Sequence, residues 1–287
     1  MIAQTLVNGV VIGLMYVLIA SGLTLVFGIL RIVNFAHGQL YMSGAFIFYL
    51  LLDTAGLNFL VAFVISTTAI GILGLCIERG LFRPLEGKPL VGIIGTTLGL
   101  MMLIEGVAEL IFGPDDRQVS SVFEGILRVG SAILPVERLV MIVMSAVVMF
   151  ILYWWIQRTK SGKATRAISQ DEYAASLVGI KKVRYSLLVM GVGSALAGAA
   201  GAIIGPIFFI NPYMGGVPLI KALIVITLGG MGSILGATLG GLILGIVETL
   251  TYTYLGGIAE IVGFLVIIVL LIVRPQGLFG EPFEFAE

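Results

Sequence analysis

The single histidine, His37, stands in a polar interruption of apolar sequence, Arg31-Ile32-Val33-Asn34-Phe35-Ala36-His37-Gly38. An imidazole there either packs as a satisfied buried group or lines a path and exchanges hydrogen bonds with a passing carboxylate. Asn34 either caps the helix that follows or faces a solute. A second interruption, Ile210-Asn211-Pro212-Tyr213-Met214-Gly215-Gly216, is of the same type, with Asn211 before a proline and Tyr213 offering a hydroxyl. Further charges fall within apolar runs, among them Glu105, Glu109, Lys221 and Glu248. Charges at membrane depth are costly and mark functional groups by default. Glu105 and Glu109 are four apart and share one helix face, near the end of their segment, where snorkelling explains them. Lys221 and Glu248 would neutralise each other if their segments were neighbours. The candidate pathway residues are therefore Asn34, His37, Asn211, Tyr213, Lys221 and Glu248.

Covalent and metal chemistry find no support. One histidine and one cysteine, Cys76, cannot assemble an imidazole or thiolate cluster. Cys76 has no partner for an internal disulfide, and its apolar surroundings read as those of a small buried hydrophobe. A phosphate-binding loop needs G-x-x-x-x-G-K-[ST]. Ser161-Gly162-Lys163-Ala164 lacks the earlier glycine and the hydroxyl after lysine, and Gly87-Lys88-Pro89 fails too. No catalytic residue, metal site or cofactor site is expected in this chain.

These residues need a scaffold, and the composition dictates its kind. Of 287 residues 59% are hydrophobic and 11% charged, with no net charge and a mean hydropathy of +1.14. Soluble proteins carry about 25% charged residues, so a soluble, disordered or nucleic-acid-binding protein is excluded. Thirty-nine glycines, close to twice the usual share of about 7%, point to closely packed membrane helices. Thr5–Leu30, Gly38–Leu52, Leu57–Ile77 and Leu139–Gln157 are free of charge, and Pro89–Phe112 carries only Glu105 and Glu109. From Tyr185 to Val273 the charges are Lys221, Glu248 and Glu260, leaving room for four more segments. The expected fold is all-α, a polytopic membrane domain over 1–287 with eight or nine hydrophobic segments, some broken or re-entrant. The first segment carries no basic flank and reads as a retained span.

Basic residues concentrate at Arg79, Arg83 and Lys88, and at Arg158, Lys160, Lys163, Arg166, Lys181, Lys182 and Arg184. Both stretches are expected in the cytoplasm, and the acidic segment 113–138 outside. Within the cytoplasmic loop 158–184, Ser169-Gln170-Asp171-Glu172 has the pattern of a capping box. It predicts a short helix carrying Ala174, Ala175 and Val178 and stopped by Gly179. That helix either lies against the membrane or enters a groove on a cytoplasmic partner. Asn34 and Asn211, Gly38 and Gly215, and Gly28 and Gly205 are each separated by 177 positions, which hints at an internal duplication of the kind that places transport pathways at broken helices. GxxxG pairs at Gly9/Gly13, Gly95/Gly99, Gly201/Gly205, Gly236/Gly240 and Gly241/Gly245 are read as packing.

Three blocks in order carry a resemblance. They are Gly22-Leu23-Thr24-Leu25-Val26-Phe27-Gly28 through Ile32–Gly38 with Tyr41-Met42; Gly162–Ala167 with Asp171 through Gly179-Ile180; and Ile210–Tyr213, Lys221-Ala222, Leu228–Ser233 and Gly240–Gly245. Together they resemble the permeases of branched-chain amino acid ABC transporters, of the first of the two kinds such systems carry. The resemblance implies the membrane part of a type II-like importer in the cytoplasmic membrane. It implies as partners a second permease, two cytosolic ATPase subunits that bind ATP and Mg2+, and a periplasmic solute-binding protein. The block Gly162–Ala167 with Asp171 through Gly179-Ile180 looks like the family's coupling region, which implies that Ser169, Asp171, Glu172, Ala174, Ala175, Val178 and Gly179 form the coupling helix. Gly215-Gly216-Val217-Pro218 is more broken than the family pattern. Related systems carry urea, amides or aromatic acids, so the solute stays open. A proton-coupled secondary transporter with Glu105 or Glu248 as carrier is the rival of another class.

Overall fold

The computed structural model describes residues 2–120, 122–129 and 132–256, with 265, 268, 269, 272–274 and 276–279. A chain in hydrocarbon must satisfy its backbone internally, and helices dominate. They are α1 (Ile2–Leu30), α2 (His37–Tyr49), α3 (Phe59–Ile77), α4 (Leu90–Phe112), α5 (Val136–Arg158), α6 (Lys160–Gln170), α7 (Glu172–Leu177), α8 (Lys182–Ile204), α9 (Gly216–Gly229) and α10 (Ile234–Leu255). A two-stranded hairpin, β1 (Ile126–Val129) with β2 (Ala132–Pro135), sits between α4 and α5. Among the described residues six helical runs are long and apolar enough to cross a bilayer: α1, Phe59–Leu85, α4, α5, α8 and α10. α2 and α9, with 13 and 14 residues, reach only about 20 Å at 1.5 Å per residue, two thirds of the roughly 30 Å hydrocarbon core. The expected segment after Leu255, with Glu260, falls largely outside the described residues.

The contacts fix which end of each helix lies where. α1 begins among the acidic connections, where the Ile133 N–H donates to Gln4 Oε1 at 2.7 Å and Arg138 donates to Asn8. It ends at the basic face, beside Lys88 and Lys182. Residues 31–36 then turn back, and α2 starts against the middle of α1, with His37 Nε2 3.2 Å from Ile19 O. α2 continues through a wide π-type turn, Leu50–Thr54, to the acidic face, where Asp53 accepts from the Ser120 N–H at 3.2 Å. α9 does the opposite. It starts at Gly215-Gly216 against Gly38 and ends at the basic face, where Leu278 N and Phe279 N donate to Leu228 O and Gly229 O at 2.9 and 3.1 Å.

The plan long helix, broken link, half-length helix, third helix thus occurs twice, as α1–α2–α3 and α8–α9–α10, with opposite directions through the slab. Packing follows the same pairing: α1 runs along α10 and α3 along α8. Small residues allow it. A methyl group on Gly245 would collide with the backbone of Gly13, one on Gly9 would lie 2.9 Å from Ile246 Cα, and one on Gly44 would lie 2.5 Å from Gly198 Cα. Two of the five GxxxG pairs therefore pack against each other. Gly95 and Gly99 behave differently, since a methyl on either would meet no other part of the described structure within 4 Å. They belong to α4, whose apolar window is 11% buried. Cys76 is exposed on α3, against the sequence expectation of a buried hydrophobe. In a helix that is apolar all round, composition does not tell the packed face from the outer one.

Candidate functional site

The two polar interruptions are helix beginnings. Asn34 is fully buried and its Oδ1 accepts from the Ala36 N–H at 3.0 Å, closing the turn that leads into α2. Asn211 repeats the arrangement, its Oδ1 accepting from the Tyr213 N–H at 3.0 Å, while its Nδ2 donates to Asp116 at 2.7 Å. Pro218 falls in the first turn of α9, where a missing N–H costs nothing. The broken look of Gly215-Gly216-Val217-Pro218 is therefore a helix start. Gly38 and Gly215 meet backbone to backbone, and a methyl on either would collide with the other's carbonyl oxygen. The half-length helices thus face each other start to start at mid-depth, where side chains of any size would force them apart.

The six candidate pathway residues fall in three groups. Asn34 and His37 share the buried turn before α2, with no exposed surface; Asn34 Nδ2 and His37 Nδ1 have no hydrogen-bond partner among the described residues. Asn211 and Tyr213 lie on the acidic side of the junction, Tyr213 half exposed. A hydrogen bond to Glu109 holds the Tyr213 phenol above its ordinary pKa. Lys221 on α9 and Glu248 on α10 form the expected ion pair, with Nζ 2.9 Å from Oε1. Tyr16 of α1 donates to the other carboxylate oxygen, also at 2.9 Å. That arrangement ties three helices together at mid-depth.

Sequence reasoning missed Gln39. It is 1% exposed, and its Nε2 donates to Glu105 Oε2 at 2.7 Å. Glu105 is therefore turned toward α2, although its place on α4 reads as snorkelling. Gln39, Glu105, Glu109 and Tyr213 make a polar strip leading from the α2 start along α4 toward the acidic face. Glu105, Glu109 and Tyr213, which are not buried, can exchange hydrogen bonds with a zwitterion where buried Gln39, His37 and Asn34 cannot. The four-residue spacing of Glu105 and Glu109 was the available signal.

On the basic face the helix predicted from Ser169 starts two residues later. Thr159 caps α6 by accepting from the Gly162 N–H at 3.0 Å, and α6 runs on to Gln170. Ser169 is used inside it, donating to Arg166 O at 2.9 Å. Asp171, with an extended φ of −149°, breaks the run and caps α7, accepting from the Ala174 N–H at 2.9 Å. Gly179 ends the turn with φ +82°. Ala175 points inward, at 4% exposure, whereas Tyr173, Leu177 and Val178 each exceed 70%. The outward apolar face is thus Tyr173, Leu177 and Val178, of which only Val178 was expected. Ala174 is also exposed. Lys182, at the start of α8, holds Glu172 at 2.9 Å and Glu86 of the α3–α4 connection at 3.3 Å, so α7 is linked to two spanning elements.

A family model described as branched-chain amino acid transport system / permease component matches residues 5–274. The high-affinity branched-chain amino acid transport system permease protein LivH of Escherichia coli (strain K12) is 35% identical, over 97% of this chain and 96% of LivH. BraD of Pseudomonas aeruginosa, described in the same terms, is 33% identical over 97% and 96%. LivM of Escherichia coli (strain K12), another permease protein of such a system, is 23% identical over 97% of this chain and 71% of LivM. Among solved structures, PsaBC from Streptococcus pneumoniae in complex with Fab superimposes with a TM-score of 0.50 at 14% identity, covering 96% of this chain and 92% of that one. At that identity the likeness concerns the fold.

Proposed function

The chain belongs to the family of branched-chain amino acid ABC transport permeases, and on that premise we propose that it is the LivH-like member of an ATP-driven importer of branched-chain amino acids. A second, LivM-like permease pairs with it in the cytoplasmic membrane. Two cytosolic ATPases bind ATP and Mg2+, and a periplasmic binding protein delivers the solute. The chain is a translocation subunit and catalyses no covalent step.

The observation that carries this reading is α7. A short helix with three large apolar side chains turned outward, on the basic face, suits insertion into a groove of a cytosolic protein. Lys182 joins it to α8 and the α3–α4 connection, so a displacement of α7 reaches both halves of the duplicated plan. Alternating access then consists of moving packed helices as units around the paired starts of α2 and α9. Ser169, Asp171 and Gly179 set the ends of the coupling elements, and Glu172 is the tie to Lys182. Glu105, Glu109 and Tyr213 supply polar contacts for the solute's ammonium and carboxylate, and Gln39 holds Glu105 in place.

A proton-carrier role fits Glu248 poorly, since a lysine ammonium and a phenol already hold both its oxygens. The test is reconstitution of the chain with its operon partners in liposomes, followed by uptake of radiolabelled leucine. Uptake should require internal ATP and the binding protein. Uptake that survives ATP depletion and stops when a proton gradient is collapsed would replace the importer with a secondary transporter.

A further inference from the structure

A cavity of about 240 Å3 opens between the end of α1, the α3–α4 connection and the start of α8. It lies on the basic face, away from the polar strip. Arg31, Arg83, Lys88 and Lys182 line it against two carboxylates, Glu78 and Glu86. Both carboxylates are already engaged, Glu78 by Arg83 at 3.3 Å and Glu86 by Lys182 at 3.3 Å. Arg31 and Lys88 are left over, neither side chain having a hydrogen-bond or ion-pair partner among the described residues.

Arg31 is held there against its own backbone preference. Its φ is +51°, unlike every other described residue except glycines. It closes α1 with its N–H donating to Phe27 O at 2.8 Å, at the position after a helix end that glycine occupies without strain. A strained residue kept in place of glycine points to use of its side chain. The other walls agree. α4 and α8 both begin at the cavity, and neither start has a side-chain cap, so the positive ends of two helices lie beside it. Phe82 and Ile93 give it a buried apolar floor, and Leu90 at its rim is 62% exposed.

We propose that this cavity binds a phosphate-type oxyanion, with Arg31 and Lys88 as its free cationic contacts, and that the headgroup of an anionic phospholipid in the basic-side leaflet supplies it. A basic recess with an apolar rim at headgroup level is the form that such lipids select.

The test uses the full-length chain stripped of lipid in neutral detergent. It is titrated with phosphatidylglycerol, with phosphatidylcholine and, separately, with inorganic phosphate, and bound lipid is counted by native mass spectrometry alongside melting curves. The wild type should retain one phosphatidylglycerol in preference to phosphatidylcholine. Arg31→Gly/Lys88→Gln should weaken that binding about 25-fold, about five-fold for each cation. Without lipid, Arg31→Gly should melt no lower than the wild type, because glycine relieves the strain. Protection by phosphate equal to that by the lipid keeps the oxyanion site and assigns it a soluble ligand. Lipid preference unchanged in the double variant, in Lys88→Gln alone and in Arg31→Gly alone overturns the proposal. So does a lower melting point for Arg31→Gly, or a loss of ATPase co-purification with lipid binding intact, which would make the cavity a protein contact.

Discussion

Lys221→Met isolates the energetics of the mid-depth ion pair. At a separation of 2.9 Å and an effective dielectric constant of about 20, the attraction is about 6 kcal/mol before desolvation. Most of it offsets the cost of taking both ions out of water. Removing the lysine leaves Glu248, whose side chain is 17% exposed, without its counter-ion, and the expected loss of stability is about 3–5 kcal/mol. Glu248→Gln strands the lysine ammonium at 5% exposure and should cost a similar amount. The double variant removes both charges while the glutamine oxygen still accepts from Tyr16. It should lie within about 1 kcal/mol of the wild type, giving a coupling energy of about 5 kcal/mol or more. The assay is unfolding in mixed micelles by added dodecyl sulfate, followed by circular dichroism. A coupling below about 0.5 kcal/mol would refute the pairing argument. ATP-driven uptake by the double variant decides the role of the pair: retained uptake makes it a structural tie, and lost uptake with normal stability returns both residues to the pathway.

Gly13→Leu and Gly245→Val should each abolish the folded peak in fluorescence-detected size exclusion, because any side chain there meets backbone of the facing helix. Gly95→Val, in open space, should leave that peak unchanged. Leu177→Asp should uncouple solute-stimulated ATP hydrolysis in the assembled complex while the chain stays inserted, and Lys182→Ala should do the same with a stability change of at most about 1 kcal/mol, the usual worth of exposed pairs. His37→Ala should reduce the amount of folded protein, and leucine uptake per folded molecule should hold within about two-fold. The Tyr213 phenol, raised above its usual value near 10 by Glu109, stays protonated and donating through neutral and mildly alkaline pH. Tyr213→Phe should therefore slow uptake equally at pH 6 and pH 9, and a rise in its relative activity at pH 9 would contradict that hydrogen bond.

Much of the fold was legible because charge is scarce and its positions therefore delimit the spans. The ends at Arg79–Lys88 and Arg158–Arg184 follow from that alone. The ion pair was legible for a related reason: two isolated opposite charges in apolar segments have few other ways to be neutral. The separation of 177 positions between Asn34 and Asn211 was visible, but their half-length helices meeting start to start were not. That arrangement rests on the contact of Gly38 with Gly215 and of His37 with Ile19, and no local pattern encodes either. Ser169 shows the limit of capping signatures. Thr159 had already started a helix that swallowed Ser169, and Asp171 was the next residue able to leave it. Gln39 escaped notice because a lone glutamine in an apolar run gives no periodic signal, and its meaning comes only from Glu105, which lies on α4.

The meeting of the α2 and α9 starts also bears on what must not cross. Each helix beginning carries roughly half a positive charge, so the two place about one unit at the centre of the slab with little water to screen it. A sodium ion or hydronium passing about 10 Å away at an effective dielectric constant of about 20 meets a barrier of roughly 1.7 kcal/mol, close to twenty-fold in rate, before any side chain is counted. The paired helix starts thus also act as a filter against cations, equally from either side. They let a neutral zwitterion approach, while the ion gradient that energises the rest of the membrane is kept from leaking through the same opening.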